Sequence, residues 1–182
     1  MKLVIAISGR PGAGKTTYAK EIASFFNLRY VSSGMLFRQL AEERGVSLLE
    51  FHKMAEKDFE IDKAIDERAL EEARKGDVVV DGHLAGWVLR DIADLKIFFT
   101  APLEIRATRV AARDGVSYEE AFRELKAREE SNKLRARLIY GFDLDDLSIF
   151  DVIFNTNKLS KEVISETLKT LISKFIEHRA SG

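Results

Sequence analysis

The segment at residues 9–16 constrains the fold of this chain more than any other stretch. It reads Gly-Arg-Pro-Gly-Ala-Gly-Lys-Thr and follows residues 2–8, an apolar run typical of a buried central strand. Residues 17–26 come next, and their apolar side chains recur at helical spacing. A strand, a glycine-rich loop and a helix in this order are the setting in which the pattern G-x-x-x-x-G-K-[ST] binds phosphate groups. The sequence therefore predicts an α/β fold with a polyphosphate site on its first helix.

Each residue type in this loop has a chemical reason. Gly9, Gly12 and Gly14 allow positive φ angles and a close approach of the backbone amides to a polyphosphate. The following helix directs its positive end and its unpaired N–H groups at the same anion. Lys15 adds a full charge near the β- and γ-phosphates, and the Thr16 hydroxyl is placed to ligate Mg²⁺. The alternative, an ordinary glycine-rich turn with a surface lysine, leaves the flanking strand and helix unexplained.

Asp81 is the second candidate for a metal site. It ends the valine-rich run at residues 77–81, and P-loop enzymes place an aspartate there to hold Mg²⁺ or its water shell. The alternative is a solvated, turn-forming acid ahead of Gly82. We predict Mg²⁺ as the cofactor, with Thr16 and Asp81 at the metal site. The predicted ATP-binding residues are Ser8, Gly9, Arg10, Pro11, Gly12, Ala13, Gly14, Lys15, Thr16 and Thr17.

Composition excludes several classes of function. With 182 residues, 46% of them hydrophobic and 32% charged, the chain fits one globular domain spanning residues 1–182. A formal net charge of −1 argues against broad nucleic-acid binding, and the absence of cysteine excludes disulfides and thiolate metal sites. No apolar run reaches membrane-spanning length, and the N-terminus does not read as a signal peptide. We expect a cytoplasmic monomer without nucleic-acid or membrane partners.

Strands alternate with helices along the chain, which predicts a doubly wound parallel sheet of about five strands. The predicted strands are residues 2–8, 28–32, 77–81, 94–100 and 151–155. Three helical segments separate the second strand from the third, which exceeds what a simple crossover needs. We therefore predict a helical insertion at residues 34–76, over the carboxyl ends of the strands, where ligands of open α/β sheets bind.

Two further side chains are predicted to lie at this edge of the sheet. Arg38 follows the second strand and could bind a phosphate through two hydrogen bonds, although an ordinary exposed helix charge is the alternative. His83 follows Asp81 and Gly82 directly. The three histidines of the chain show no metal-ligand spacing, so we predict no histidine metal site.

Arginine is frequent between residues 106 and 137. The arginines of this stretch are Arg106, Arg109, Arg113, Arg123, Arg128, Arg135 and Arg137. For most of them we expect a solvated helical hairpin with pairs four residues apart, such as Glu124 with Arg128. Phosphoryl transfer, however, depends on neutralising charge, and a mobile basic lid supplies arginine while it excludes water. The pattern predicts a lid at about residues 109–140.

Taken together, these segments resemble the archaeal-type cytidylate kinases, which are P-loop nucleoside monophosphate kinases. The resemblance covers about residues 2–175 and rests on motifs that match in order and spacing. The motifs are Ile-Ser-Gly-x-Pro-Gly-x-Gly-Lys-Thr-Thr at 7–17, Ser-Gly-x-x-Phe-Arg at 33–38, Asp-Gly-x-Leu-Ala-Gly-Trp at 81–87, Ala-Arg-Glu-Glu-Ser at 127–131 with Arg135, Tyr-Gly at 140–141, and Asp-Asp-Leu-Ser at 145–148.

The resemblance implies a nucleoside monophosphate kinase fold with a core, a monophosphate-binding insertion at 34–76 and a lid. The implied reaction is ATP + (d)CMP → ADP + (d)CDP with Mg²⁺. On this reading Arg38 holds the acceptor's phosphate. The implied catalytic residues are Lys15, Arg109, Arg113, Arg128 and Arg135. The implied acceptor-binding residues are Ser33, Gly34, Phe37, Arg38, His83 and Gly86.

One position departs from the family pattern. The family usually reads Gly-Arg-Leu-Ala-Gly-Trp, and this chain has His83 where that arginine stands. If the arginine contacts the acceptor, a neutral histidine weakens charge pairing or loosens the choice of base. A P-loop kinase acting on AMP, UMP or a non-nucleotide acceptor is therefore an open alternative. A nucleotide-dependent switch protein is a second one, although the chain has no Asn-Lys-x-Asp guanine-reading segment.

Overall fold

The computed structural model describes residues 2–55 and 57–181, without the side chains of Leu48, Leu49 and His52. Five parallel strands form a single sheet in the order β2-β3-β1-β4-β5. The strands are β1 (Val4–Gly9), β2 (Arg29–Ser32), β3 (Val78–Asp81), β4 (Leu95–Thr100) and β5 (Val152–Asn155). This confirms the predicted doubly wound five-stranded parallel sheet.

Helices connect the strands and cover both faces of the sheet. They are α1 (Lys15–Phe25), α2 (Ser33–Glu43), α3 (Leu48–Ala55), α4 (Glu60–Arg74), α5 (Ala85–Val88), α6 (Leu103–Asp114), α7 (Tyr118–Tyr140) and α8 (Lys161–Ser181). Helix α1 follows the helical pattern at residues 17–26, and α2, α3 and α4 are the three helical segments predicted between the second and third strands. The sequence did not predict α5, because four residues are too short to show a helical period. No helix in the described part of the chain is long and apolar enough to cross a membrane.

The central strand β1 is buried on both faces, which explains its unbroken apolar run. Ile5 and Ile7 lie in one apolar cluster with residues of α1 and α8. Val4 and Ala6 lie in a second cluster with residues of α2, α3 and α4. The loop at residues 9–16 therefore extends from the most protected strand of the sheet.

Helix α4 packs directly on the sheet. Its buried residues Ile61, Ile65, Ala69 and Ala73 recur every four positions and lie in the same cluster as the valines of β3. Helices α2 and α3 extend this cluster, with Phe51 of α3 fully buried. The segment at residues 34–76 thus shares its apolar core with the sheet.

Helices α6 and α7 form a hairpin with an apolar cluster of its own, centred on Ala107, Val110, Ala121 and Leu125. Ser117 caps the start of α7: its hydroxyl accepts a 3.2 Å hydrogen bond from the backbone N–H of Glu120. The C-terminal end of α7 packs against a different cluster, in which Ala136 is buried with Trp87 and other aromatic side chains.

Candidate active site

The loop between β1 and α1 has the backbone shape that its glycines predict. Gly12 and Gly14 take φ angles of 80° and 86°, in the left-handed region. Space is also short at Gly12, where an added Cβ would lie 3.1 Å from the Cβ of Arg106. Gly14 is the N-cap of α1, so the unpaired N–H groups of the first helical turn follow the loop directly. This is the geometry of a polyphosphate site.

A cavity of about 270 Å³, which we name the central cleft, lies beside this loop. Separate parts of the chain line it: the loop with α1, β2, the start of α2, the end of β3 and the middle of α7. The lining includes Pro11, Lys15, Thr16, Lys20, Tyr30, Ser33, Gly34, Arg38, Asp81, Gly82, His83, Arg128 and Asn132. The fold therefore brings the loop, Arg38, Asp81 and His83 together, although His83 follows the loop by about 70 residues in the sequence.

Four cations face the central cleft without a partner. Among the described residues, no hydrogen bond or ion pair is made by the charged groups of Lys15, Lys20, Arg38 and Arg128. Burial lowers the pKa of Lys15; the nearby charges of Arg128 and Arg113 lower it further, whereas Asp81 raises it. Lys15 is half-buried and the other three cations are exposed at the cleft. Positive charges grouped in one cleft repel one another and attract anions, so the central cleft has the electrostatics of a polyanion site.

Only one of the two carboxylate oxygens of Asp81 accepts hydrogen bonds from the described residues. Its Oδ2 accepts hydrogen bonds from the Thr16 hydroxyl, at 2.7 Å, and from the Tyr30 hydroxyl, at 2.9 Å. Its Oδ1 is buried and has no hydrogen-bond partner in the described part of the chain. A carboxylate oxygen beside a threonine hydroxyl is the donor set that Mg²⁺ prefers, so these residues fit the implied metal.

His83 lies partly buried on the wall of the central cleft. Burial lowers its pKa to about 3, and the nearby cations Lys15, Arg128 and Arg135 act in the same direction. The imidazole is therefore neutral at physiological pH. The archaeal-type cytidylate kinases that the sequence resembles usually have a positively charged arginine at this position, and the neutral imidazole does not supply that charge.

The comparisons with known proteins decide the family. The sequence matches the cytidylate kinase-like family over residues 4–158. The chain belongs to this family. The cytidylate kinase of Ignicoccus hospitalis is 54% identical over 169 residues, 93% of this chain and 98% of the relative. The cytidylate kinase of Staphylothermus marinus is 50% identical over 175 residues, 96% of this chain and 99% of the relative.

The solved structures agree in fold. The shikimate kinase of Bacteroides thetaiotaomicron aligns with a TM-score of 0.65 over 97% of this chain and 99% of that one. At 16% sequence identity this likeness concerns the fold alone. It supports a P-loop kinase architecture for this member of the cytidylate kinase-like family.

The four arginines with an implied catalytic role take different positions. Arg128 alone among them lines the central cleft, and Arg135 forms an ion pair with Asp62 of α4. Arg113 pairs with its neighbour Asp114 and is largely exposed, although its charge is near enough to lower the pKa of Lys15. Of these four, Arg128 is therefore the one that shares a cavity with Lys15.

Arg109 contacts a different part of the fold. Its guanidinium donates to the side chain of Thr156, at 2.8 Å, and to the Thr156 carbonyl, at 2.6 Å. Both residues line a second cavity, of about 240 Å³, which is distinct from the central cleft. Its lining is Ala13, Gly14, Thr17, Tyr18, Arg109, Thr156, Leu159 and Lys161. Arg109 thus lies beside residues of the loop but outside the central cleft.

Three of the predicted site residues lie behind the walls of the central cleft. Ser8 is fully buried, and its hydroxyl accepts a 2.8 Å hydrogen bond from the N–H of Gly86. Gly86 is packed so closely on Phe150 that an added Cβ would lie 2.3 Å from the ring. Phe37 packs against Phe51, with the ring centroids 4.7 Å apart. The positions of these three residues suit a structural role, in which they hold the walls of the central cleft in place.

Sequence reasoning missed a structural role for Arg106. This arginine is 3% exposed and donates to the carbonyl oxygens of Ala101, at 2.8 Å, and Pro11, at 3.0 Å. It also donates to the carboxylate of Glu129, at 2.5 Å. The sequence does contain a signal, because Arg106 lies between Leu103 and Val110 on the apolar face of α6. A charged residue on an apolar face predicts a buried partner.

Proposed function

We propose that this protein transfers the γ-phosphate of ATP to CMP and dCMP, with Mg²⁺ as the cofactor. The observation that carries the proposal is that Lys15 of the loop and Arg38 of α2 line one cavity, and that neither charged group has a hydrogen bond or ion pair within residues 2–55 and 57–181. Such a cavity can hold two phosphate groups close together, which a transfer between nucleotides requires. The cytidylate kinases that share about half of their residues with this chain support the choice of acceptor.

The donor half of the site lies on the loop. The N–H groups at the start of α1 and the ammonium of Lys15 bind the β- and γ-phosphates of ATP. The rest of the nucleotide extends toward the cavity beside Arg109 and Thr156. Thr16 and Asp81 hold the Mg²⁺, which neutralises phosphate charge when it is bound.

The acceptor half lies across the central cleft. Arg38 binds the monophosphate of CMP, and Ser33 and Gly34 line the same wall. An oxygen of this phosphate, already anionic, forms a bond to the γ-phosphorus, while the bond from that phosphorus to the leaving ADP oxygen breaks. No strong general base is needed, so the protein's contribution is to orient both groups and to offset charge on the transferred phosphoryl.

The hairpin of α6 and α7 acts as the lid, at about residues 109–140, and the helices at residues 34–76 act as the acceptor-binding insertion. The separate apolar cluster of the hairpin supports its movement as a unit. Arg128 approaches the transferred phosphoryl group from the lid. Closure excludes water, which would otherwise compete with CMP as the acceptor.

An acceptor panel tests this proposal. Release of ADP is measured with CMP, dCMP, UMP and AMP, for wild type and for Lys15→Ala and Arg38→Ala. We expect Lys15→Ala to lower kcat by roughly 100- to 1000-fold. We expect Arg38→Ala to raise the KM for CMP by roughly 10- to 100-fold, since it removes a charged phosphate contact.

Arg74→Ala is the matched control, because Arg74 is an exposed arginine of α4 away from the central cleft. It is expected to behave as wild type. A clear preference for AMP or UMP over CMP would overturn the acceptor assignment. An unchanged KM for CMP in Arg38→Ala would overturn the role of that arginine.

A further inference from the structure

We propose that Tyr30 is a positioning residue that fixes Asp81 with one oxygen free for the metal. This inference rests on the proposed function, in which Asp81 holds Mg²⁺. Two hydroxyl groups, those of Thr16 and Tyr30, donate to the same oxygen, Oδ2. The other oxygen, Oδ1, is buried and has no partner in the described part of the chain. The hydroxyl of Tyr30 therefore adds a second hydrogen bond to the oxygen that Thr16 already holds.

The sheet register explains how Tyr30 reaches this position. In the parallel pairing of β2 with β3, Tyr30 lies opposite Val79 and Ser32 lies opposite Asp81. Residues two apart on a strand share a face, so Tyr30 and Asp81 project from the same side of the sheet. The length of the tyrosine side chain then spans the two-residue offset along the strand, and its hydroxyl ends 2.9 Å from the carboxylate.

The ring of Tyr30 is itself held in place. It packs at the margin of the apolar cluster that joins the sheet to α1. The ammonium of Lys20 lies 5.7 Å from the ring centroid on the side of the central cleft. A donor mounted on a strand and packed in this way is more precisely placed than a donor on a loop.

The two hydrogen bonds restrict the orientation of the Asp81 carboxylate before a metal ion binds. With Thr16 as its single donor, the side chain of Asp81 can rotate about its last torsion, which is a broad one. Two donors on Oδ2 restrict that rotation and leave Oδ1, which has no hydrogen-bond partner among the described residues, available to a metal. Groups that orient a metal ligand in this way typically change metal affinity by about 10- to 100-fold when they are removed.

The test compares Tyr30→Phe with Tyr118→Phe. Both variants lose one phenolic hydroxyl, and Tyr118 is an exposed residue whose ring packs on Phe122. Binding of Mn²⁺ to the protein in the presence of ADP is measured by electron paramagnetic resonance, and binding of metal-free ADP by calorimetry. We expect Tyr30→Phe to raise the Kd for Mn²⁺ by about tenfold or more and to leave the Kd for metal-free ADP within about twofold.

A kinetic readout separates positioning from general damage. In Tyr30→Phe the Mg²⁺ concentration for half-maximal activity should rise, whereas kcat at saturating Mg²⁺ should approach that of wild type. An unchanged Kd for Mn²⁺, or an equal loss of metal-free ADP binding, would refute the role of Tyr30. Failure of the wild-type protein to bind Mn²⁺ with ADP would instead refute the metal site of the proposed function.

Discussion

The guanidinium of Arg106 joins the nucleotide-binding loop to α7, because one of its nitrogens lies 3.0 Å from the carbonyl oxygen of Pro11 and 2.5 Å from the carboxylate of Glu129. Glu129 directly follows Arg128, which lines the central cleft. The ion pair therefore joins α6 to α7, and the hydrogen bond to Pro11 links both helices to the loop.

Removal of one partner of this pair should be costly. We expect Arg106→Met to lower the free energy of unfolding by about 3 kcal/mol, because the carboxylate of Glu129 is left largely buried without its main partner. Urea denaturation measures this change. The control is Arg123→Met, on the exposed face of α7, which should stay within about 0.5 kcal/mol of wild type. Equal effects in the two variants would contradict the bracing role.

Asp66 should make stability depend on pH. Burial raises the pKa of Asp66 to about 6; the hydrogen bond from Tyr140 and the charge of Arg135 oppose this rise, and Asp62 adds to it. Because the folded pKa lies above the unfolded value, this group stabilises the fold fully below about pH 4. That contribution, of the order of 2 kcal/mol, is lost as the pH rises to about 6.

The variant Asp66→Asn isolates this effect. The free energy of unfolding of this variant should increase relative to that of wild type as the pH rises from about 4 to about 6. Above about pH 6 the difference between the two proteins should stay constant. Chemical denaturation at several pH values provides the measurement. Parallel curves for the two proteins would show that Asp66 does not titrate as the structure indicates.

His83→Arg should change acceptor binding through charge. The neutral imidazole lies in a cleft that already holds four cations, and a further cation there adds attraction for the acceptor's phosphate. We expect the KM for CMP to fall by roughly fivefold, equivalent to about 1 kcal/mol. His83→Gln, which stays neutral, is the control. The explanation fails if the arginine and glutamine variants have the same KM.

Gly86 should tolerate no side chain. A Cβ at this position would lie 2.3 Å from the ring of Phe150, and the ring is held by Trp87 and Phe98. We expect Gly86→Ala to lower the free energy of unfolding by about 1–3 kcal/mol. Trp87 is the single tryptophan of the chain, so its fluorescence follows the transition locally. A second change, Phe150→Leu, should be less harmful in Gly86→Ala than in wild type, and strict additivity would count against this contact.

The sequence predicted the sheet and the loop because their signals are local. The apolar run at residues 2–8 and the pattern at residues 9–16 each lie within one short segment, and a buried strand or a glycine-rich loop needs no distant residue to be recognised. The helix α5 gave no such signal, since four residues complete barely one turn.

The site was less predictable because its contacts cross the chain. Arg109 and Arg113 lie one turn apart on α6, yet the first donates to Thr156 and the second pairs with Asp114. The spacing of the two arginines shows that they share a face of α6. It does not show which residues of other elements lie against that face. Tyr30 illustrates the same limit: its role depends on the pairing of β2 with β3, which the sequence of β2 does not contain.

The four cations of the central cleft come from three parts of the fold: Lys15 and Lys20 from α1, Arg38 from α2 and Arg128 from α7. Charges of one sign repel, so bringing the hairpin of α7 toward the loop raises the electrostatic energy when only water lies between them. When a polyphosphate is bound between these cations, their approach to each other lowers the electrostatic energy instead. The charges of the central cleft therefore oppose a closer approach of Arg128 to Lys15 over water and favour it when a polyphosphate is bound.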